Sequence, residues 1–385
     1  MAKQGPAALI DVPLEDVRMP HAVAYDGHEN VEIVVVDVGN TYQKAVSMTA
    51  RQGMVTSCEA SAIARPQSVM YGEQSSLTIT PVDGSTLKPE SFIVGTAALY
   101  EPQSMARIGT LQERLDASPS VLRAQILNAI YTVLMKKTQT NRYTATVLVG
   151  LEVPLEDYAR QATTETVRGI ANAIKGQWRV QNGTGVCLIK IIAVVPLPQT
   201  LGMIAATCRA ANGQPLPDRY QTRYAALDMG GGQIHLGQST GTSQFSGSLI
   251  GQGVTLTANT LIGLANRVGI RLSMHQACHA LHTKQALQGG ELVTIKELVD
   301  EAIELSRPVQ VAEAVNALVP VLRGARGLIG GGSSVYYGEG IIAQLPTEYQ
   351  PFVSIVRQPQ MANAIGGYPL VLQHVAAKHR QQGGQ

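Results

Sequence analysis

Three short segments hold the residues best suited to chemistry. Asp37-Val38-Gly39-Asn40-Thr41 and Asp228-Met229-Gly230-Gly231-Gly232 each end an apolar, strand-like run with a carboxylate and follow it with glycine; Ile329-Gly330-Gly331-Gly332-Ser333-Ser334 is the third. Glycine lets a backbone turn tightly and bring its N–H groups against a ligand with no Cβ in between, and several such donors can cradle a triphosphate. A carboxylate beside them suits hydrated Mg²⁺, which keeps most of its waters and takes few carboxylate ligands. The metal neutralises charge on the β- and γ-phosphates. Singly, each segment reads as an ordinary turn, because motifs this short arise often by chance. Together they read differently: two strand-Asp-Gly hairpins open two chain halves, and a GGG turn follows a helical stretch in the second.

The elements around these segments must hold them in place. Val31–Asp37 is a β-branched run that predicts a buried strand, turning at Gly39 and resuming at Lys44–Met48. Tyr224–Asp228 predicts its counterpart, with Gln233–Gly237 as partner. Ser118 and Pro119 suit the cap and first turn of a helix, along which Leu122, Ile126, Ala129 and Ile130 share a face. Ala145–Val149 reads as a buried strand running into Leu151–Asp157, residues 164–175 as a helix, and Trp178–Val180 with Val186–Val195 as a hairpin about Asn182-Gly183. Helices are expected over Leu201–Arg209, 255–268, 274–287, 295–323 with a break at Pro308, and about Pro369–Arg380. The stretch Arg323–Leu328 before the GGG turn makes a weak strand.

Composition narrows the class. The 385 residues exceed one ordinary core and predict two domains of similar size. With 45% hydrophobic and 15% charged residues the chain is of globular type, and a formal net charge of +2 gives no strong field for direct DNA or membrane binding. No apolar run is long enough to span a bilayer, and the N-terminus lacks a signal-peptide layout. Cys58, Cys187, Cys208 and Cys278 are scattered, as free thiols in a reducing cytoplasm would be. Residues 1–30, interrupted by Pro6, Pro13 and Pro20, read as an extension.

The constellation of loops resembles the actin, hexokinase and Hsp70 ATPase superfamily, whose phosphate-1, phosphate-2 and adenosine motifs fall in this order. Within it the chain looks most like the plasmid-segregating bacterial actins of the ParM/StbA family, on Asp37–Lys44 (DVGNTYQK), on the order of elements in Val149–Val195, and on Pro359–Gly366 (PQMANAIG). The resemblance implies an α/β, actin-like (RNase H-like, duplicated) two-domain fold with a nucleotide cleft between the domains. Domain I would span 31–211, with a small subdomain at about 52–100; domain II would span 212–357, and 358–385 would form a C-terminal helix packing back on domain I. It implies a cytoplasmic ATPase that polymerises with itself and moves plasmid DNA through a DNA-bound adaptor. Asp37 and Asp228 would hold Mg²⁺ through water. Gly39, Asn40, Thr41, Lys44, Gly230, Gly231, Gly232, Gly330, Gly331, Gly332 and Ser333 would bind ATP. Without the resemblance, Lys44 reads equally as a solvent-facing strand residue. The family's water-orienting side chain matches Gln199; an ungapped reading puts Leu197 there, but leucine cannot hydrogen-bond a water, and the plain reading of Gln199 is a polar helix start.

Two rival functions share these loops. A small-molecule kinase would need a catalytic base, for which Asp83 and Asp157 are the available candidates, and a nucleotide-binding scaffold would need no turnover. His275, Cys278, His279 and His282 fall on one helix face. A straight helix cannot wrap four ligands around one ion, so a polar or buried face is the expectation.

Overall fold

Strands β1 (Ala22–Tyr25), β2 (His28–Val38), β3 (Tyr42–Met48) and β4 (Met54–Ala60) form an antiparallel run, and β8 (Arg142–Val153) and β10 (Gly185–Pro198) continue the sheet in parallel from β2. The computed structural model from which this is read describes residues 6–66, 76–82, 84, 87–101, 110–154, 158 and 161–383; Asp83 and Asp157 lie outside them. The sheet extends past β10 through β9 (Gly176–Asn182), β6 (Ser76–Pro81), β7 (Glu90–Val94) and β5 (Ile63–Ala64). The strands of 54–94 thus lie at both ends of one continuous sheet and do not form a sheet of their own.

A second sheet repeats the same order. Here β11 (Arg223–Met229), β12 (Gln233–Thr240) and β13 (Ser243–Gln252) are the antiparallel run, and β16 (Arg326–Gly330) and β17 (Val353–Ile355) follow in parallel. The order β4-β3-β2-β8-β10 is therefore matched by β13-β12-β11-β16-β17. This duplication places Asp37 and Asp228 at equivalent points, near the ends of the corresponding strands β2 and β11. A separate hairpin, β14 (Gln285–Gln288) and β15 (Glu291–Thr294), occupies part of the region expected to be helical.

Strand β2 is buried because its alternate residues face two cores. Val31, Ile33 and Val35 pack on one side with Ile365, Tyr368 and Val371, while Val34 and Val36 pack on the other with Leu122, Ile126 and Ile130. Each such side chain contributes about 1.5–3 kcal/mol. The covering helices are α2 (Pro119–Thr138), which follows the short α1 (Leu111–Ala117), and α9 (Ala362–Gly383). Pro119 sits in the first turn of α2, but the Ser118 side chain makes no capping bond. Helix α3 (Gln161–Ile174) lies near α2, and α4 (Leu201–Cys208) connects the two sheets and crosses α9. In the second half α5 (Thr255–Arg267), α6 (Met274–Thr283), α7 (Lys296–Leu318) and α8 (Ser334–Gln344) accompany the smaller sheet.

Three departures from the sequence reading have physical causes. Helix α7 runs through Pro308 without ending, because Pro308 is on the solvent side, where water can satisfy the freed carbonyl. Helix α9 begins at Ala362, seven residues before Pro369, because Ala362–Tyr368 are all buried and packing outweighs the preference for proline at a helix start. Residues 8–30 are not a loose appendage. Ala8, Leu9, Ile10, Val17 and Met19 are buried in the core that also contains α4, and β1 pairs with β2.

The crossing of α4 and α9 is close. A Cβ on Gly366 would stand 1.7 Å from the Gly202 carbonyl oxygen, and one on Gly202 would stand 2.2 Å from that of Asn363. Only glycine lets the two backbones touch. Among the described residues no helix is long and apolar enough to cross a membrane.

Candidate active site

Asp37 is 2% exposed at the end of β2. The ladder sets it opposite Lys44 on β3, whose ammonium lies 2.8 Å from its carboxylate. Burial would lower the Lys44 pKa, but the charges of Asp37 and Asp228 outweigh it and hold the amine protonated. The lysine therefore faces the site, not solvent. Gln199, the residue after β10, donates from Nε2 to the other Asp37 oxygen at 3.3 Å, and its own N–H is tied to the Val153 carbonyl. Leu197 is buried in the core under the sheet. The structure thus puts Gln199 beside Asp37.

Asp228 ends β11 and is likewise buried, with its carboxyl pushed up to about 6 by burial and by Asp37, against the pull of Lys44 and Asn363. Asn363, from the PQMANAIG segment, donates 2.8 Å to Asp228 and accepts from the main-chain N–H groups of Thr200 and Met203 at 3.1 and 3.2 Å. One amide therefore caps α4 and orients the second carboxylate. Thr200, between Gln199 and α4, has φ 72°, a conformation that costs a β-branched residue about 1–3 kcal/mol.

The three glycine segments occupy different places. Gly231 and Gly232 meet the first hairpin: a Cβ on them would stand 2.3 Å from Thr41 Oγ1 and 2.4 Å from Asn40 Nδ2. Gly331, at φ 83°, lies behind Asp228, where a Cβ would come within 2.4 Å of the carboxylate. Ser333 is fixed to the Met229 carbonyl by both its N–H and its hydroxyl. A Cβ on Gly330 would meet Met203, whereas Gly332 has only Gln360 near it, at 3.9 Å. Between the first two hairpins lies a cavity of about 50 Å³, lined by Asp37, Gly39, Asn40, Lys44, Asp228 and Gly230–Gly232 among others.

Residues that the motifs did not announce also line this cavity. Glu152 of β8 is opposite Asp37 in register and 1% exposed, with no hydrogen-bond partner for either carboxylate oxygen among the described residues. Burial, then the charges of Asp37 and Asp228, raise its pKa well above the usual carboxylate range. His235, opposite Asp228 on β12, is pushed down to about 4 by burial. Arg114 of α1 reaches the same cavity, buried, with its guanidinium on the Val38 carbonyl at 2.7 Å and on Gln125 at 2.7 Å. A Thr110-x-x-Glu113 capping box starts its helix, and this S/T-x-x-E pattern was the sequence signal that could have found the element.

The histidine face of α6 docks across the cleft. His275 hydrogen-bonds the main chain of Asn40 and His279 meets the Tyr42 hydroxyl at 3.1 Å, while His282 meets the hydroxyl of Tyr336, on α8 of its own half, at 3.0 Å. Gln276 also donates to the Leu99 carbonyl. Burial lowers the pKa of His275, with Arg114 adding to the effect, and lowers that of His279. An unfolded histidine titrates near 6.5. These two are therefore neutral and without penalty above that value, and lose stability for the fold as pH falls through 6.5 toward their lower folded values. The melting temperature is expected to fall between pH 7.5 and 5, and by less in His275→Asn. Equal acid sensitivity in the two proteins would remove His275 from this role.

No protein-family model matches the chain, and no curated protein matches it in sequence. Solved structures do match in shape. The archaeal actin homolog Ta0583 superposes with a TM-score of 0.62 at 14% identity, covering 89% of this chain and 99% of that one; it has also been solved in complex with ADP. ParM from a 15-stranded filament of Clostridium botulinum gives 0.62 at 13%, covering 89% and 99%. Bacillus thuringiensis ParM with AMPPNP gives 0.58 at 10%, covering 90% and 100%. Together with the duplicated strand order, these matches show that the chain has the actin-like fold.

Proposed function

We propose that the protein is a cytoplasmic ATPase that assembles into filaments with ATP and disassembles after hydrolysis, and that it moves plasmid DNA through a DNA-bound adaptor. The observation that carries the reading is the meeting of Asp37 and Asp228, one from each sheet, with Gln199 bonded to the first and Asn363 to the second. The neighbours solved with ADP and AMPPNP, and as a filament, support it by fold.

The donor set fits Mg²⁺ held through water. Each carboxylate is already oriented by a protein partner, and the glycine segments bring main chain close beside them. The ion, when bound, would supply positive charge to the β- and γ-phosphates. The chain's own groups do the rest. Main chain at Gly39 and at Gly231–Gly232 would face the phosphates, while the Gly230 N–H is taken by the Gln233 carbonyl and Gly330–Ser333, outside the lining of this cavity, would stand behind Asp228. Lys44 orients Asp37 through their 2.8 Å ion pair. Gln199, fixed at its main chain, presents an amide that can accept from a water and aim it in line with the terminal phosphate.

A side chain that orients water acts mainly in the transition state, so its loss belongs in the rate. Gln199→Ala is expected to lower kcat about 100-fold with ATP affinity little changed. Single-turnover kinetics alongside nucleotide titration separate the two quantities; an unchanged rate would transfer the role to Glu152.

A further inference from the structure

The cavity holds two cations, and they are not equivalent. Lys44 is spent on Asp37 at 2.8 Å. Arg114 has no carboxylate partner within ion-pair distance among the described residues, although it is only 6% exposed. Its hydrogen bonds go to a carbonyl and an amide. A guanidinium carries five N–H donors, so two of them suffice for this anchoring. A buried cation with neutral partners is costly unless an anion completes its shell.

The anchoring is itself rigid. Arg114 Nη1 donates to Val38 O; Nη2 donates to Gln125; Gln125 donates to Ser61 O; and the Ser61 hydroxyl donates to Gly39 O. These bonds close a ring through the first hairpin at Val38-Gly39. The capping box at Thr110 fixes the start of α1, and Thr166 bonds Gln112 in its first turn. Arg114 lines the same small cavity as Asp37, Asp228 and Gln199.

We propose that Arg114 binds the terminal phosphate of the nucleoside triphosphate and is the residue that distinguishes ATP from ADP. The inference rests on the nucleotide reading above. Arginine suits the role because its planar fork can meet two phosphate oxygens at once. It also remains charged in a buried setting, where its pKa falls only to about 10.

The test is calorimetric titration of wild type and Arg114→Gln with Mg²⁺ plus a slowly hydrolysed ATP analogue, and separately with Mg²⁺ plus ADP. Charge-assisted bonds to one phosphate predict a loss of about 10- to 100-fold for the analogue, with ADP changed less than about threefold. If Arg114 only braces the hairpin, both affinities fall together, and the proposal is overturned. It is equally overturned if neither changes. Should Arg114→Gln fail to fold, Arg114→Lys keeps the charge without the fork and is expected to lose about tenfold for the analogue alone. A wild-type protein that binds neither nucleotide would defeat the ATPase reading itself, before Arg114 comes into question.

Discussion

Asp228→Asn is expected to cut ATP turnover at least about 100-fold while leaving the protein folded, and Asp37→Asn is expected to do the same. Both carboxylates are buried at the ends of equivalent strands, and each is aimed by a neighbour, Asn363 or Lys44. Removing charge that steadies a transferring phosphoryl group typically costs 10²- to 10³-fold. The amide keeps the shape and a hydrogen-bonding oxygen. For Asp228 it also removes one member of a mutually repelling buried pair, so the melting temperature should hold or rise. At position 37 either neutral residue leaves the buried Lys44 charge without its partner, at a cost of about 3–5 kcal/mol, so a lower melting temperature is expected there; alanine is the poorer probe because it also removes the hydrogen-bonding oxygen. Phosphate release and thermal melts of both variants check this. Wild-type turnover in either would sink the site assignment; loss of fold in Asp228→Asn would show that its role is structural.

The second large effect is expected in assembly. With ATP and Mg²⁺ the protein should sediment as filaments that shorten as hydrolysis proceeds, with a slowly hydrolysed analogue giving the longest-lived polymer and ADP the least. The argument is a population shift. The first hairpin belongs to the large sheet and the second to the small one, and they touch at Thr41–Gly231 and Asn40–Gly232. A terminal phosphate held by both fixes one separation of the halves, and it favours that arrangement by the difference in affinity between states. A subunit whose two ends match only in that arrangement adds head to tail, a heterologous contact that need not close into a ring. Cleavage removes the bridge and returns freedom to the halves. Pelleting and electron microscopy with each nucleotide would show it. A protein that stays monomeric throughout at micromolar concentration, yet phosphorylates a small metabolite, would move the assignment to a kinase.

The sequence made the hairpins legible because their chemistry is local. A β-branched run, an aspartate and glycines within a few residues leave little choice of conformation, and Asp37 and Asp228 stand where that pattern puts them. Asn363 and Arg114 were not legible as site residues. Their roles depend on partners 135 and 76 positions away, and nothing adjacent to them in the chain signals a ligand. Strand β16 was weak on paper because Arg326 and Gly327 dilute its apolar run. It forms because Leu328 and Ile329 are buried between β11 and β17, so the sheet supplies what local propensity lacks. The β14–β15 hairpin could have been found. Gly289-Gly290, both at positive φ, is a turn signal that a helical pattern ending at 287 overlooked.

The contact between Gly202 and Gly366 has a mechanical meaning. Side chains at a helix crossing act as padding: they compress, change rotamer and let one helix slide over the other. Here the padding is missing, and main chain rests on main chain. Such a bearing resists translation, because any approach is a collision of backbones, but it offers little resistance to swivel about the point of contact. Because α4 links the two sheets and α9 lies on the larger one, turning at this fulcrum would carry one half against the other as a rigid arm, so that a small displacement at the phosphates is magnified at the outer surfaces.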